Sequence, residues 1–321
     1  MTSIYFVTGL HRSGTTVVSE AIADAVSGSM ITVSDLAKHI PRLDELVSNM
    51  DVSGTTPNQN GNGREISQST PTEYGWYLYS VSGQRSFGFK RKFHSQLTDL
   101  MNEVMRRAGS DGIVLKNPWD TGNEATLLSE YADARSIVIR RSLQAIEASS
   151  LQIMNDPALQ AIEEGATPAR DERDTSPGQY YESEEYMGAL MNNDSLFDGL
   201  SRVLRWPAAR WLFIVLSKWG RRLVILLLIR RIRKLPLDRV GFISYDEMTK
   251  DPGRGAQWLG HILDPAAFAQ SFDRLVSPTA HKPSDQCSAV VRALDRYWER
   301  AWSDMRRQQI RAGVLAHDCG R

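Results

Sequence analysis

The chain has 321 residues, 41% of them hydrophobic and 24% charged, and its 38 basic and 38 acidic side chains give a formal net charge of zero. That length supports a substantial buried core, and the charge balance leaves no global basic field of the kind that draws a protein to nucleic acid. Cys287 and Cys319 show neither metal-ligand spacing nor a disulfide framework, and the N-terminus lacks a basic stretch ahead of a long apolar core, so a cytoplasmic protein is the expectation.

Ile4 to Val7 is a short β-prone run bounded by Gly9, while Val17, Val18, Ala21, Ile22 and Ala25 recur at helical spacing. The spacing predicts strand, loop and helix in that order. Gly9 and Gly14 bracket the loop in a Gly-x-x-x-x-Gly pattern, and glycines there let backbone N–H groups at a helix start close around a phosphate-sized anion. An ordinary strand-to-helix turn with Ser13 as N-cap is the plainer reading. The nucleoside-triphosphate version of such a loop places lysine directly after the second glycine, where this chain has Thr15. The cation stands two residues before that glycine instead, as Arg12.

Residues 30–33, MITV, read as a second strand, which puts Asp35 and His39 just beyond its end. Open α/β sheets place active sites at such ends, so Asp35 and His39, together with Glu73 in the Pro71-Thr72-Glu73-Tyr74-Gly75 stretch, are candidate general bases. Residues 112–118, GIVLKNP, read as a buried strand that delivers Lys116 to its end, with a helix following from Thr121 to Tyr131. A further strand, Ser136 to Ile139, runs straight into Arg140 and Arg141. Two cations at a helix start are electrostatically unfavourable without an anion nearby, so a ligand is expected there.

From Asn155 to Tyr186 the chain is acidic and poor in aliphatics, reading as a lid or loop. Between Gly199 and Leu237 the sign reverses, with ten cations, no acids and the apolar blocks WLFIVL and LVILLLI. Lys218, Arg221 and Arg222 interrupt the middle, and a charge at a bilayer centre costs about 3 kcal/mol, so a transmembrane span is excluded. Three readings stay open for residues 202–234: core helices whose arginines pair with the acidic stretch, a role at the acceptor pocket or an oligomer interface, and peripheral membrane contact. Val240 to Met248 then reads as a late core strand and turn.

Arg12-Ser13-Gly14-Thr15-Thr16 resembles the 5′-phosphosulfate loop of sulfotransferases that use 3′-phosphoadenosine-5′-phosphosulfate (PAPS). Arg140 to Ser149 is similar to the family's 3′-phosphate segment, in which a strand-ending arginine is followed eight residues later by a serine, the spacing of Arg141 and Ser149. Arg140 is an equally placed strand-end residue. Val240 to Pro252 looks like the family's late strand and its Tyr-Glu-Asp-Leu-like turn. His39-Ile40, Asp44-Glu45-Leu46, Pro71 to Gly75 and Leu115 to Asp120 look like a bacterial branch of the family.

The resemblance implies an α/β fold with a P-loop-like central parallel sheet flanked by helices and a helical insertion. It implies one domain over 1–321, with residues 155–235 as a lid or helical insertion within it. It further implies transfer of a sulfuryl group from PAPS, as cosubstrate and without a metal, to a hydroxyl or amine of a small-molecule acceptor. The donor-binding residues would be Gly9, His11, Arg12, Ser13, Gly14, Thr15, Thr16, Arg140, Arg141 and Ser149. Arg12 and Lys116 would neutralise the bridging oxygen, and His39 or Glu73 would take the acceptor proton. A small-molecule kinase on a divergent phosphate loop and a noncatalytic membrane-associated nucleotide binder are the rival functions; oligomeric state is not legible.

Overall fold

The computed structural model describes residues 3–48, 67–81, 86–147, 207–276 and 289–316. Five strands, β1 (Ser3–Gly9), β2 (Ser29–Met30), β3 (Gly112–Lys116), β4 (Ala134–Arg140) and β5 (Val240–Ser244), form one parallel sheet in the order β2-β3-β1-β4-β5. Parallel sheets are covered on both faces, so their strands read as continuous apolar runs, and β3 and β5 are buried along their whole lengths. Side chains alternate between faces. Phe6, Leu115, Val138 and Phe242 enter one core; Tyr5, Val7, Ile139 and Ile243 enter the other.

Helix α1 (Thr15–Ala25) packs on the second of these cores with helix Pro265–Leu275, through Val18, Ile22, Phe268 and Phe272. The opposite face is covered by α2 (Val33–Ala37), α3 (Pro41–Val47), α4 (Tyr74–Val81), α5 (His94–Ala108) and α6 (Glu124–Glu130). Helix Pro207–Ile232 and the last described helix, Ala289–Arg311, complete that layer. The architecture is an α/β fold with a P-loop-like parallel sheet and a helical insertion between β4 and β5.

Three element boundaries differ from the sequence expectation, each for a local reason. The predicted strand over 30–33 ends at Met30, because Thr32 and Asp35 form a reciprocal capping box that starts α2 at Val33. The helix expected over 121–131 begins only at Glu124; ahead of it a 3₁₀ turn, Pro118–Asp120, is held by the buried Asp120 carboxylate. Strand β4 extends at both ends beyond Ser136 to Ile139, since β1 supports it from Ala134 and β5 supports it to Arg140.

The basic segment contributes one continuous helix of 26 residues, whose inner stripe of Ile225, Leu228, Ile229 and Ile232 is buried in the main core. Among the described residues no helix is long and apolar enough to cross a membrane. The acidic stretch 155–186 and Ser149 lie outside the described residues.

Candidate active site

Strand β1 is flanked by β3 on one side and β4 on the other, so connections leaving the carboxyl edge diverge around it. A crevice opens at such a switch point, and it is where open α/β sheets bind ligands. The registers put Gly9, Lys116, Arg140 and Ser244 along this one edge.

The loop from Gly9 to Gly14 is built from tight contacts. The Ser13 N–H donates to the Leu10 carbonyl at 3.0 Å, and Arg12 has φ 70° and Gly14 φ 87°, both left-handed. A left-handed arginine costs about 1–2 kcal/mol, a strain that clusters at functional sites. Gly14, not Ser13 as the plainer reading would have it, is the N-cap of α1, and it offers no side-chain cap. The first-turn N–H groups at Thr15 and Thr16 therefore have no intrahelical acceptor, at the positive end of the helix dipole.

Both glycines are sterically required. A Cβ on Gly9 would lie 2.6 Å from Ser13 Oγ and 3.0 Å from the Ile139 carbonyl oxygen; one on Gly14 would fall 2.2 Å from the Tyr245 ring. The Ser13 hydroxyl is buried and finds no hydrogen-bond partner among the described residues. A buried orphan of this kind inside an anion loop fits a ligand oxygen.

Cations converge on the loop from two neighbouring strands. Lys116, buried at the end of β3, donates from Nζ to Thr16 Oγ1 at 3.0 Å. Arg141, one residue past β4, donates from Nη1 to the Arg12 carbonyl at 2.7 Å, and its guanidinium lies 5.0 Å from the Tyr245 ring centre. The Gly9 N–H donates to Thr121 Oγ1 at 3.0 Å, and His11 packs edge-on to Trp119 at 4.4 Å. The structure thus brings together Gly9, His11, Arg12, Ser13, Gly14, Thr15, Thr16, Lys116 and Arg141.

Arg140 does not join this group. Its side chain is buried beside the last described helix, 3.8 Å from Glu299 and 5.9 Å from the Trp298 ring centre. The arginine pair divides into one residue facing the core and one gripping the loop.

The candidate bases occupy different levels of the sheet. Asp35 is buried and accepts from Thr32 Oγ1 at 2.7 Å and from Arg107 Nη2 at 2.8 Å. His39 Nε2 lies 3.5 Å from Glu103, with its ring edge-on to Tyr77 at 5.0 Å. Glu103 and Arg107 belong to the last turns of α5, which deliver the chain to the amino end of β3, so Asp35 and His39 sit at a distance from the Lys116 edge. Glu73 precedes α4, whose Gly75 lies against Asn117; a Cβ there would be 2.7 Å from Asn117 Oδ1. Asn117 immediately follows Lys116, so Glu73 is on the carboxyl side of the sheet.

Two buried carboxylates beneath the loop were not singled out by sequence. Asp120 accepts from Tyr74 Oη, from Asn117 Nδ2 at 2.6 Å, and from the Phe89 N–H and Asn123 Nδ2, both at 2.8 Å. Glu124 accepts from Thr8 Oγ1 at 2.7 Å and from the Gly122 N–H at 3.0 Å, while its second oxygen has no hydrogen-bond partner among the described residues. Burial raises both carboxyl groups above their ordinary values, against the opposing pull of these hydrogen bonds. The signal in the sequence was the Asn117-Pro118-Trp119-Asp120 turn, with its helix-starting Asn123 and Glu124. Tyr245, in the turn that follows β5, forms the wall against Gly14. Among the described residues no group of three or more His, Cys, Asp or Glu side chains is placed to hold a metal ion.

No protein-family model matches the chain, and no curated protein matches it. Among solved structures it is similar to sulfotransferase STF9 from Mycobacterium avium, with 16% identity, 96% of this chain and 76% of that chain covered, and a TM-score of 0.45. It is also similar to sulfotransferase STF1 from Mycobacterium tuberculosis H37Rv, with 15% identity, coverage of 95% and 77%, and a TM-score of 0.43. A third is a sulfotransferase from Alicyclobacillus acidocaldarius, with 14% identity, coverage of 94% and 93%, and a TM-score of 0.37. All three neighbours are bacterial sulfotransferases.

Proposed function

We propose that the chain is a sulfotransferase that moves a sulfuryl group from PAPS to a hydroxyl or amine of a small-molecule acceptor. The observation that carries this reading is the convergence of Lys116 and Arg141 on a left-handed glycine loop that bears Arg12, at the switch point of the sheet. Such a site suits an anion with a leaving group that gains charge.

In the proposed reaction the acceptor oxygen attacks sulfur, the bond from sulfur to the bridging oxygen breaks, and adenosine 3′,5′-bisphosphate departs with the bonding pair. First-turn N–H groups and the threonine hydroxyls of α1 cradle the 5′-phosphosulfate. Arg12 and Lys116 neutralise charge on the bridging oxygen, and Arg141 turns toward the 3′-phosphate while keeping the loop in place. Of the two base candidates, Glu73 is taken as the group that accepts the acceptor proton, because it shares the carboxyl side of the sheet with Lys116; His39, tied to Glu103, is the alternative.

The test is a ligand comparison followed by turnover. Adenosine 3′,5′-bisphosphate should raise the melting temperature, by the equivalent of about 2.7 kcal/mol at 100 times its Kd, and ATP with magnesium should do much less. Arg12→Ala should then keep the fold and lose about 100-fold or more in release of adenosine bisphosphate from PAPS with a hydroxylated acceptor library. A larger shift with ATP and magnesium, or wild-type turnover by Arg12→Ala, would overturn the reading. Glu73→Gln should lower turnover with PAPS affinity retained; if His39→Ala alone is impaired, the proton goes to His39.

A further inference from the structure

The outward side of helix Pro207–Ile232 carries an apolar stripe that the other described residues leave open. Leu216 and Trp219 are each 60% exposed, Leu223 is 59% exposed, and Leu226 and Leu227 are about as open as ordinary surface residues. At 3.6 residues per turn these five positions fall on one side, opposite the buried stripe of Ile225, Leu228, Ile229 and Ile232. Arg230 continues the outward side at its C-terminal end and is exposed. The helix is pinned from within by Arg222, which pairs with Glu147 at 3.5 Å, and by Arg231, which donates to the Gly122 carbonyl at 2.9 Å. The stripe is therefore presented on a fixed support.

The geometry points to this stripe as a docking surface for an anionic lipid bilayer, on which the helix lies in the plane of the interface. Charge and apolarity together select that occupant. Residues 199–237 contain ten cations and no acids. A second copy of the chain would bring like charges together along the stripe. The acidic stretch 155–186 offers charge but is too poor in aliphatic residues to cover four leucines and a tryptophan. An anionic bilayer supplies both: an acyl boundary for the leucines, and headgroups for Arg230, Arg233 and Lys234, all exposed. Trp219 lies 5.2 Å from the inward-held Arg222 guanidinium, and an exposed tryptophan on such a face suits the headgroup level, where tryptophan is favoured. This inference is independent of the sulfotransferase reading.

The experiment is co-sedimentation of the full chain with vesicles of phosphatidylcholine alone and of phosphatidylcholine with phosphatidylserine, alongside sedimentation velocity without lipid. The expected result is partition onto the phosphatidylserine vesicles that weakens as salt rises, because the attraction is screened. Leu223→Glu should reduce that partition about tenfold or more and Arg230→Glu about fivefold, with melting temperatures unchanged since both side chains are exposed. Leu275→Ser, an exposed apolar position on another helix, should bind as wild type does. Failure of the wild-type chain to partition would overturn the inference. So would equal partition by Leu223→Glu, or a wild-type dimer that Leu223→Glu dissociates.

Discussion

Lys116 Nζ donates to Thr16 Oγ1 at 3.0 Å, joining the carboxyl end of β3 to the first turn of α1 across the crevice. A buried ammonium with a hydroxyl partner in an anion loop is poised to exchange that partner for a ligand oxygen. Lys116→Ala should therefore lower turnover about 100-fold or more while weakening adenosine 3′,5′-bisphosphate far less, since the bridging charge develops only as the sulfuryl group leaves. Steady-state kinetics with calorimetry on the product would separate the two effects. Equal losses in both would make Lys116 a binding group only.

Gly14 tests the loop as a rigid device. Any Cβ there meets the Tyr245 ring at 2.2 Å, and the φ of 87° is strained for every L side chain. Gly14→Ala should cost about 1–3 kcal/mol in chemical denaturation and should abolish measurable binding of adenosine 3′,5′-bisphosphate. Adding Tyr245→Ala removes the clash and leaves the backbone strain, so the double variant should recover part of the stability. A Gly14→Ala protein as stable as wild type would mean that the loop relaxes freely.

Much of this edge was legible in the sequence because local patterns fix it. An apolar run stopping at Gly9 and helical spacing from Val17 leave only the loop between them, and GIVLK stopping at Asn117-Pro118 places Lys116 at a strand end. The four residues MITV were ambiguous because a short apolar run does not distinguish a strand from a helix start; the decisive feature was the Thr32-x-x-Asp35 capping box. Other features depend on contacts between segments remote in sequence. Nothing near Tyr245 says that its ring meets Gly14, nor does anything near His39 say that Glu103 meets it. The same holds for Arg140 and Arg141: adjacent residues at a strand end point to opposite sides, Arg140 shares its face with Val138, and only the remote Trp298 and Glu299 show what that face meets there.

That division of the arginines gives a prediction with two arms. Arg141→Ala should weaken adenosine 3′,5′-bisphosphate roughly tenfold to a hundredfold and leave adenosine 5′-phosphosulfate much less affected, because a charge-assisted bond to the 3′-phosphate is worth about 1.5–3 kcal/mol. Some loss with both ligands is expected, since Arg141 also grips the Arg12 carbonyl. Arg140→Ala should instead lower the melting temperature, as a buried side chain beside Trp298 and Glu299 is lost. If Arg140→Ala discriminates the two ligands and Arg141→Ala does not, the 3′-phosphate contact belongs to Arg140.

Glu124 gives a prediction in pH. The carboxyl is fully buried beneath Thr8 and its desolvation raises it above its ordinary value of 4.5, against the hydrogen bonds from Thr8 and Gly122. The folded protein therefore holds this proton more tightly than the unfolded chain does. Its contribution to stability is fully present below pH 4.5 and is lost as pH rises through the raised value, where the fold must either retain the proton or bury a charge. Glu124→Gln keeps a carbonyl oxygen for Thr8 and Gly122 and removes the titration. The variant and wild type should melt at similar temperatures below the ordinary value, and the variant should become the more stable of the two as pH rises from there to the raised value, above which the difference levels off. Asp120 is raised with the same sign and its charge adds to the upward push on Glu124, so the difference between the two curves reports Glu124 together with its coupling to Asp120. A difference independent of pH would show that Glu124 is ionised throughout, with the partnerless oxygen reached by solvent.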